Sequence, residues 1–111
     1  MESQVWIIDD ERELADAIAE YFGIFGVSAH AEYTADSVKK ITKSVKVVLL
    51  DINLGRNSGY DCIALIRDIV PTAKILLISA RCEEQDMLKG YYLGADDYIT
   101  KPFSLQVLLL K

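Results

Sequence analysis

The sequence lacks the features that mark secreted, membrane and nucleic-acid-binding proteins. Its two cysteines, Cys62 and Cys82, match no CxxC or zinc spacing, so we expect free thiols in a reducing cytoplasm. No apolar run approaches the length of a membrane span, and acidic residues 9–11 stand where a signal peptide needs apolar ones. A net charge of −5 argues against direct binding to nucleic acid.

The composition that remains is that of one globular domain. The chain has 111 residues, of which 51% are hydrophobic and 26% are charged, and this is enough to build a single buried core. We therefore expect one soluble, cytoplasmic domain over residues 1–111, with no membrane partner.

Apolar runs of strand length alternate with segments of helical period along the whole chain. The predicted strands are 4–8, 27–32, 46–50, 73–79 and 97–100, and the predicted helices are 11–26, 35–43, 58–70, 83–94 and one from 104 onward. The first, third and fourth strands are nearly continuous apolar runs, which indicates burial on both faces. This pattern predicts an α/β fold in which helices cover both faces of a parallel sheet.

The helical period also predicts which side chains face the core and where the helices end. The expected inward residues are Leu14, Ile18, Tyr21 and Phe25, then Val38 and Ile41, then Ile63, Ile66 and Val70, and finally Met87, Leu88 and Tyr91. Gly26 and Pro71 are the expected stops and Thr34 an expected N-cap, whereas 52–59 is predicted to be a loop. Because the last helix reaches Lys111 without a capping residue, we expect a chain cut from a longer protein.

Polar residues follow the predicted strands at their carboxyl ends, where open parallel sheets bind ligands. These residues are Asp9–Asp10–Glu11, Asp51, Ser79 and Lys101. Carboxylates that share a pocket repel one another unless a cation neutralises them, and oxygen ligands without histidine or cysteine suit Mg²⁺. Magnesium beside an ammonium and a hydroxyl is typical of phosphate chemistry, in which an aspartate can be the nucleophile; Asp51 is the candidate.

Each of these residues taken alone has a simpler interpretation. Residues 9–11 can be a helix cap with an acidic first turn, Asp51 and Ser79 can be turn residues, and Lys101 can be a solvated lysine. The functional interpretation depends on their coincidence at one edge of the sheet. The only histidine, His30, lies in the middle of a strand, which favours a structural role.

Four motifs together resemble a known family over essentially the whole chain. They are IIDDE, VVLLDINLGRNSGYD, LLISAR and GADDYITKPF. The chain resembles the receiver domain of two-component response regulators, and most of all the OmpR/PhoB subfamily. The resemblance implies a CheY-like, flavodoxin-like parallel sheet with strand order 2-1-3-4-5. It also implies a protein that is no enzyme beyond its own phosphotransfer and slow autodephosphorylation.

The resemblance further implies a phosphorylation site and a metal site. Asp51 corresponds to the aspartate that accepts a phosphoryl group from a partner sensor histidine kinase. Mg²⁺ would be bound by Asp10, Asp51 and the backbone carbonyl of Asn53, and Asp9 would reach it through water.

Other residues correspond to the switching apparatus of the family. Ser79 and Lys101 would contact the phosphoryl group, and the bond between Lys101 and Pro102 would be cis. Tyr98 would be the aromatic that responds to phosphorylation. Arg81 stands at a position that helps to set the lifetime of the acyl phosphate. Gly55 replaces a proline that is common in the family, which predicts a more mobile loop.

The resemblance implies that phosphorylation switches the surface of segment 83–94, strand 97–100 and the last helix. In the OmpR/PhoB subfamily that face forms a homodimer, and its charged members here would be Lys89, Asp96, Asp97 and Lys111. Val107 stands where that subfamily usually has an acidic partner. DNA would be bound only by a C-terminal output domain outside this chain.

Two other classes of protein are alternatives to a phosphorylated receiver domain. A haloacid-dehalogenase-like hydrolase also uses an aspartate nucleophile and Mg²⁺, but it needs a second aspartate two positions later, where this chain has Asn53. A pseudo-receiver that only binds partners usually lacks a pocket residue, whereas all the expected residues are present here.

Overall fold

The computed structural model describes residues 4–54, 57–79 and 84–101, without the side chains of 53–54, 57–58 and 84–87. The strands are β1 (Val5–Ile8), β2 (Ala29–Glu32), β3 (Val47–Asp51), β4 (Lys74–Ser79) and β5 (Asp97–Thr100). The α-helices are α1 (Arg12–Ile24), α2 (Tyr60–Ile69) and α3 (Glu84–Tyr92), and a 3-10 helix spans Ala35–Lys40.

The five strands form one parallel sheet in the order β2-β1-β3-β4-β5. The register places Ile8 beside Leu50 and Asp51 beside Ile78, so the strands β1, β3 and β4 reach the same edge of the sheet. The α/β fold and the predicted strand order 2-1-3-4-5 are therefore confirmed.

Alternate residues of the strands enter two separate cores, one on each face of the sheet. On one face Ile7, Leu49 and Leu76 pack with Ile18 and Phe22 of α1. On the other face a second cluster joins the sheet to α2 and the 3-10 helix; its members include Ile8, Val48, Leu50, Leu77, Val38, Ile63 and Ile66. Because each fully buried aliphatic side chain contributes roughly 1.5–3 kcal/mol, burial on both faces is what stabilises the sheet.

Helix α1 ends just before Gly26, as predicted, and of its predicted inward residues Leu14, Ile18 and Tyr21 pack against the core while Phe25 does not. Gly26 has φ +79°, and the N–H of Val27 turns back to the carbonyl of Phe22 at 2.9 Å. Ile18 is fully buried as predicted, whereas Phe25 lies beyond the helix and is 56% exposed. Phe22 takes the core position instead, because it lies one turn after Ile18 on the face that meets the sheet.

The predicted helix 35–43 is wrong in type and length. The segment is a 3-10 helix that ends at Lys40, and Thr34 makes no side-chain capping bond. Instead, the hydroxyl of Ser37 donates to the carbonyl of Thr34 at 2.6 Å, a local bond that competes with α-helical pairing. Val38 and Ile41 are buried as predicted.

Helix α3 does not bury the predicted face: among its described side chains, the predicted inward residues Leu88 and Tyr91 are exposed. Leu88 is 60% exposed and Tyr91 is 41% exposed, while Gly90 is buried. A Cβ placed at Gly90 would lie 3.5 Å from the Tyr98 ring and still closer to the side chain of Leu77. The helix approaches the sheet through its glycine, so the large side chains before and after Gly90 turn outward.

Segment 52–59, for which the sequence predicts a loop, contains a short antiparallel hairpin. Asn53–Leu54 pairs antiparallel with Asn57–Ser58, and Gly55 lies outside the described residues. The N–H of Gly59 then donates to the carbonyl of Ile52 at 2.6 Å, which returns the chain to the end of β3. A Cβ at Gly59 would clash with the carbonyl oxygen of Asp51 and lie 2.8 Å from Ile52 Cα.

Gly59→Ala should therefore destabilise the domain by about 1–3 kcal/mol, because the clash is with backbone that carries Asp51. The matched control is Gly23→Ala in α1, where a Cβ would meet no atom within 4 Å. That change should stabilise the helix by about 0.5–1 kcal/mol. Urea unfolding of both variants measures the difference, and equal stabilities would contradict the close packing at Gly59.

Candidate functional site

The carboxyl ends of four strands deliver the predicted polar residues to one edge of the sheet. Backbone hydrogen bonds hold them there: the N–H of Lys101 donates to Ser79 O at 2.7 Å, and the N–H of Asp9 donates to Glu32 O at 3.1 Å. Asp51 is the last residue of β3 and Ser79 is the last residue of β4. The parallel register therefore brings together residues that are far apart in the chain.

Three of these residues form an acidic cluster. Carboxylate oxygens of Asp9, Asp10 and Asp51 all lie within 4.8 Å of one another. Asp9 is 1% exposed and Asp51 is 3% exposed, while Asp10 is open to solvent. Buried carboxylates so close together repel each other unless a cation or protons intervene.

The donor set fits a hard divalent cation. It consists of carboxylate oxygens, and Asp9 Oδ2 is buried without a hydrogen-bond donor among the described residues. The Lys101 ammonium lies 3.2 Å from this oxygen, but one ammonium does not balance the three carboxylates of the cluster, which leaves negative charge for a metal ion to neutralise. Carboxylates with one side open to water are the ligands that Mg²⁺ uses in phosphate-handling sites.

Lys101 supplies the positive charge within the described part of this site. Its Nζ lies 3.0 Å from Glu11 Oε1, 3.2 Å from Asp9 Oδ2 and 3.3 Å from Asp51 Oδ2. Burial acts to lower the pKa of Lys101. The hydrogen bond to Glu11 and the charges of Asp51 and Asp9 outweigh that effect and raise the pKa above its ordinary value. The ammonium therefore stays charged.

The two predicted switch residues lie on adjacent strands. Ser79 is fully buried at the end of β4, one residue after Ile78, which pairs with Asp51. Tyr98 is 7% exposed and belongs to the core that joins the sheet to α2. Ser79 thus lies at the acidic edge, and Tyr98 points into the core.

The residues predicted for a charged dimer face make contacts within the domain. Lys89 Nζ lies 4.6 Å above the ring of Tyr60. Asp97 Oδ1 accepts a hydrogen bond from the N–H of Tyr98 at 2.8 Å. Of the other predicted residues, Lys111, Arg81 and Pro102 lie outside the described residues.

Asp96, the remaining member of that predicted face, belongs to a network at the opposite edge of the sheet. Its Oδ2 accepts hydrogen bonds from Arg67 Nη2 at 2.7 Å and from the N–H of Ile75 at 2.8 Å. The Arg67 guanidinium also donates to the carbonyls of Gly94 and Ala73. Arg67 thereby joins α2 to the beginnings of β4 and β5.

Sequence reasoning missed two of the residues that matter here. The sequence places Glu11 at the acidic edge as the third acid of the DDE motif, but it predicts no specific role for Glu11 beyond a helix cap. The sequence gives no indication of the role of Arg67, because its partners are mainly backbone carbonyls, which every residue has.

His30 contacts other side chains of the sheet, in line with the structural role predicted for it. The centroid of its ring lies 4.5 Å from that of a Trp6 ring, and its Nε2 forms a hydrogen bond with Glu32.

Partial burial acts to raise the pKa of Asp96. The hydrogen bond from Ile75 and the contact with Arg67 outweigh it, so the pKa lies below its ordinary value. A lowered carboxyl pKa stabilises the folded state above the unfolded pKa, and this contribution is lost as the pH falls through the folded pKa.

Asp96→Asn should therefore lower the free energy of unfolding by about 0.5–1 kcal/mol at neutral pH, because it removes the ion pair with Arg67, which solvent screens since the Asp96 side chain is 41% exposed. The difference from wild type should vanish in acid, where Asp96 is protonated in both states. Urea unfolding across pH checks this. Asp68→Asn is the control, since Asp68 is exposed on α2 and pairs with no cation among the described residues. A pH-independent loss would contradict the role of the charge.

Comparison with known proteins identifies the class to which this architecture belongs. The family model of the response regulator receiver domain matches residues 5–111. The chain belongs to the response regulator receiver domain family, the signalling domain of two-component systems, and it is not a classical enzyme. The family generally binds Mg²⁺.

Individual relatives agree with the OmpR/PhoB resemblance. The response regulator SaeR of Staphylococcus epidermidis is 31% identical over 106 residues, which cover 95% of this chain and 46% of SaeR. The chain thus spans about half the length of the curated relatives it matches, several of which are transcriptional regulatory proteins. The structure of DrrB, a Thermotoga maritima OmpR/PhoB homologue, is 27% identical with a TM-score of 0.86, covering 99% of this chain and 50% of DrrB.

A further solved structure is that of a Burkholderia pseudomallei response regulator with a phosphorylated aspartic acid, a calcium ion and citrate. It is 25% identical with a TM-score of 0.88, and the match covers 97% of this chain and 65% of that one. Among the described residues of the present chain, no helix has the length and apolar character needed to cross a membrane.

Proposed function

We propose that Asp51 accepts a phosphoryl group from a phosphohistidine of a partner sensor histidine kinase and that this switches the domain. The observation that carries the proposal is the place of the Asp51 carboxylate. It is buried at the end of β3, within the acidic cluster, and 3.3 Å from the Lys101 ammonium. The phosphorylated aspartic acid in the Burkholderia pseudomallei relative supports the same chemistry.

Asp10, Asp51 and the carbonyl of Asn53 would hold Mg²⁺, and Asp9 would reach it through water. The ion would neutralise part of the negative charge on the carboxylates and on the incoming phosphoryl group. The buried Asp9 Oδ2 and the closeness of the three carboxylates support this assignment. The calcium ion in the Burkholderia pseudomallei relative is in keeping with it.

Transfer would proceed by in-line attack of an Asp51 oxygen on phosphorus. The new bond joins that oxygen to phosphorus as the phosphorus–nitrogen bond breaks, and its electron pair stays on the imidazole. Lys101 would pair with a phosphoryl oxygen, and the Ser79 hydroxyl would donate a hydrogen bond to another. Later attack by water on phosphorus would return Asp51 and release inorganic phosphate.

The consequence of phosphorylation would be carried by Ser79 and Tyr98 to the surface of α3, β5 and the helix that the sequence predicts from residue 104 onward, which lies outside the described residues. That surface would control an output domain that binds DNA, in line with the relatives that are transcriptional regulatory proteins. A homodimer through this surface would use the charged residues Lys89, Asp96, Asp97 and Lys111. Lys89 and Asp96 would then have to exchange their contacts within the domain for contacts with the partner copy. Tyr92 of α3 is 91% exposed, and its ring offers an apolar contact for a homodimer in place of these charged residues.

Acetyl phosphate, a small phosphoryl donor, tests the acceptor directly. With Mg²⁺, the intact mass should rise by one phosphoryl group, and the gain should disappear with a chelator or in Asp51→Ala. The control Asp68→Ala removes an exposed aspartate of α2 and should gain the group as wild type does. Retention of the gain in Asp51→Ala would contradict the assignment. A wild type that gains nothing would favour a domain that only binds partners.

A further inference from the structure

Glu11 lies outside the acidic cluster, yet it makes the shortest contact with Lys101. Its Oε1 is 3.0 Å from the ammonium, against 3.2 Å for Asp9 and 3.3 Å for Asp51. The Glu11 side chain is 62% exposed, whereas those of Asp9 and Asp51 are 1% and 4% exposed. Lys101 is therefore held by two buried carboxylates and, on the side open to solvent, by one exposed carboxylate.

The backbone around Glu11 leaves its side chain available for this contact. Glu11 is the N-cap residue of α1, but its side chain makes no capping hydrogen bond. Its N–H instead donates to Asp9 Oδ1 at 2.9 Å, which fixes the main chain beside the acidic cluster. The carboxylate then extends to the lysine rather than to the first turn of the helix.

We propose that Glu11 is a positioning residue that holds the Lys101 ammonium at the solvent-exposed side of the acidic cluster and releases it when a phosphoryl group arrives. This inference rests on the proposed function of Asp51.

The Lys101 ammonium donates hydrogen bonds to Glu11 Oε1 and to Asp51 Oδ2, and it forms an ion pair with Asp9 Oδ2 at 3.2 Å. A phosphoryl group on Asp51 brings new anionic oxygens, which compete with these carboxylates for the ammonium. The Asp51 oxygens become part of the acyl phosphate itself. Loss of the ion pair with Asp9 would strand a buried charge, whereas water can solvate the exposed Glu11 carboxylate at little cost. Glu11 is thus the partner that leaves.

Because Glu11 competes with the phosphoryl group for Lys101, loss of its contact should favour the phosphorylated state. An exposed ion pair of this kind shifts an equilibrium by about two- to fivefold. Beryllofluoride, a stable phosphoryl analogue, should bind more tightly by that factor at saturating Mg²⁺ once the contact is lost.

Two substitutions separate the contact from the charge. Glu11→Asp keeps the negative charge but is one methylene shorter, and aspartate at an N-cap turns toward the helix N–H groups. Glu11→Gln removes the charge. The control Glu13→Gln removes an exposed carboxylate from the first turn of α1 that has no ion pair with the described residues.

Two measurements test the proposal. The first is the ¹⁵N resonance of the Lys101 ammonium, assigned by its loss in Lys101→Met, in protein free of metal and fluoride. The second is the Kd for beryllofluoride by calorimetry at saturating Mg²⁺. We expect Glu11→Asp and Glu11→Gln to change the resonance and tighten binding about two- to fivefold, and Glu13→Gln to match wild type.

The outcomes are distinguishable. If Glu11→Asp matches wild type in both measurements, only the charge of Glu11 matters and the proposal is overturned. If the resonance changes but the Kd does not, Glu11 holds the lysine without competing for the phosphoryl group, which also overturns it. If wild type binds no beryllofluoride, the proposed function itself fails, and the resonance still decides whether Glu11 holds Lys101.

Discussion

Repulsion among carboxylates at one edge of the sheet is the constraint around which this domain is built. Asp9 and Asp51 are buried side by side and Asp10 is close to both, an arrangement that a short peptide would not keep. The parallel sheet imposes it, because β1 and β3 are paired along their length and are buried on both faces. The free energy of burial holds the charges where their mutual repulsion can be used to bind cations.

Among the described residues, Lys101 provides the positive charge at the acidic cluster, and its three carboxylate contacts determine where the ammonium lies. Three carboxylates at different depths share one ammonium, so the lysine is charged and confined, and its outermost partner is the most easily replaced. An incoming anion therefore meets a positive group whose position is already set by the buried carboxylates of Asp9 and Asp51. Preorganisation of this kind reduces the rearrangement required when a phosphoryl group binds.

Helix α2 connects the acidic edge to the opposite edge of the sheet. It begins directly after Gly59, which packs against the carbonyl of Asp51, and it carries Arg67 to the carbonyls before β4 and β5. Both ends of the helix are thus anchored to the strands that carry the site. The hydrogen bonds from Arg67 and from the N–H of Ile75 turn Asp96, a predicted member of the dimer face, toward its own domain.

The sequence by itself determined the alternation of strands and helices, the strand order through family resemblance, and the acidic edge. Strand-length apolar runs and the residues that follow them are local features. Tertiary structure alone decided that Gly90 rather than Leu88 faces the sheet, that residues 35–40 form a 3-10 helix, and that Glu11 reaches Lys101. Those outcomes depend on how closely a helix approaches the sheet and on contacts between residues 90 positions apart, which periodicity does not encode.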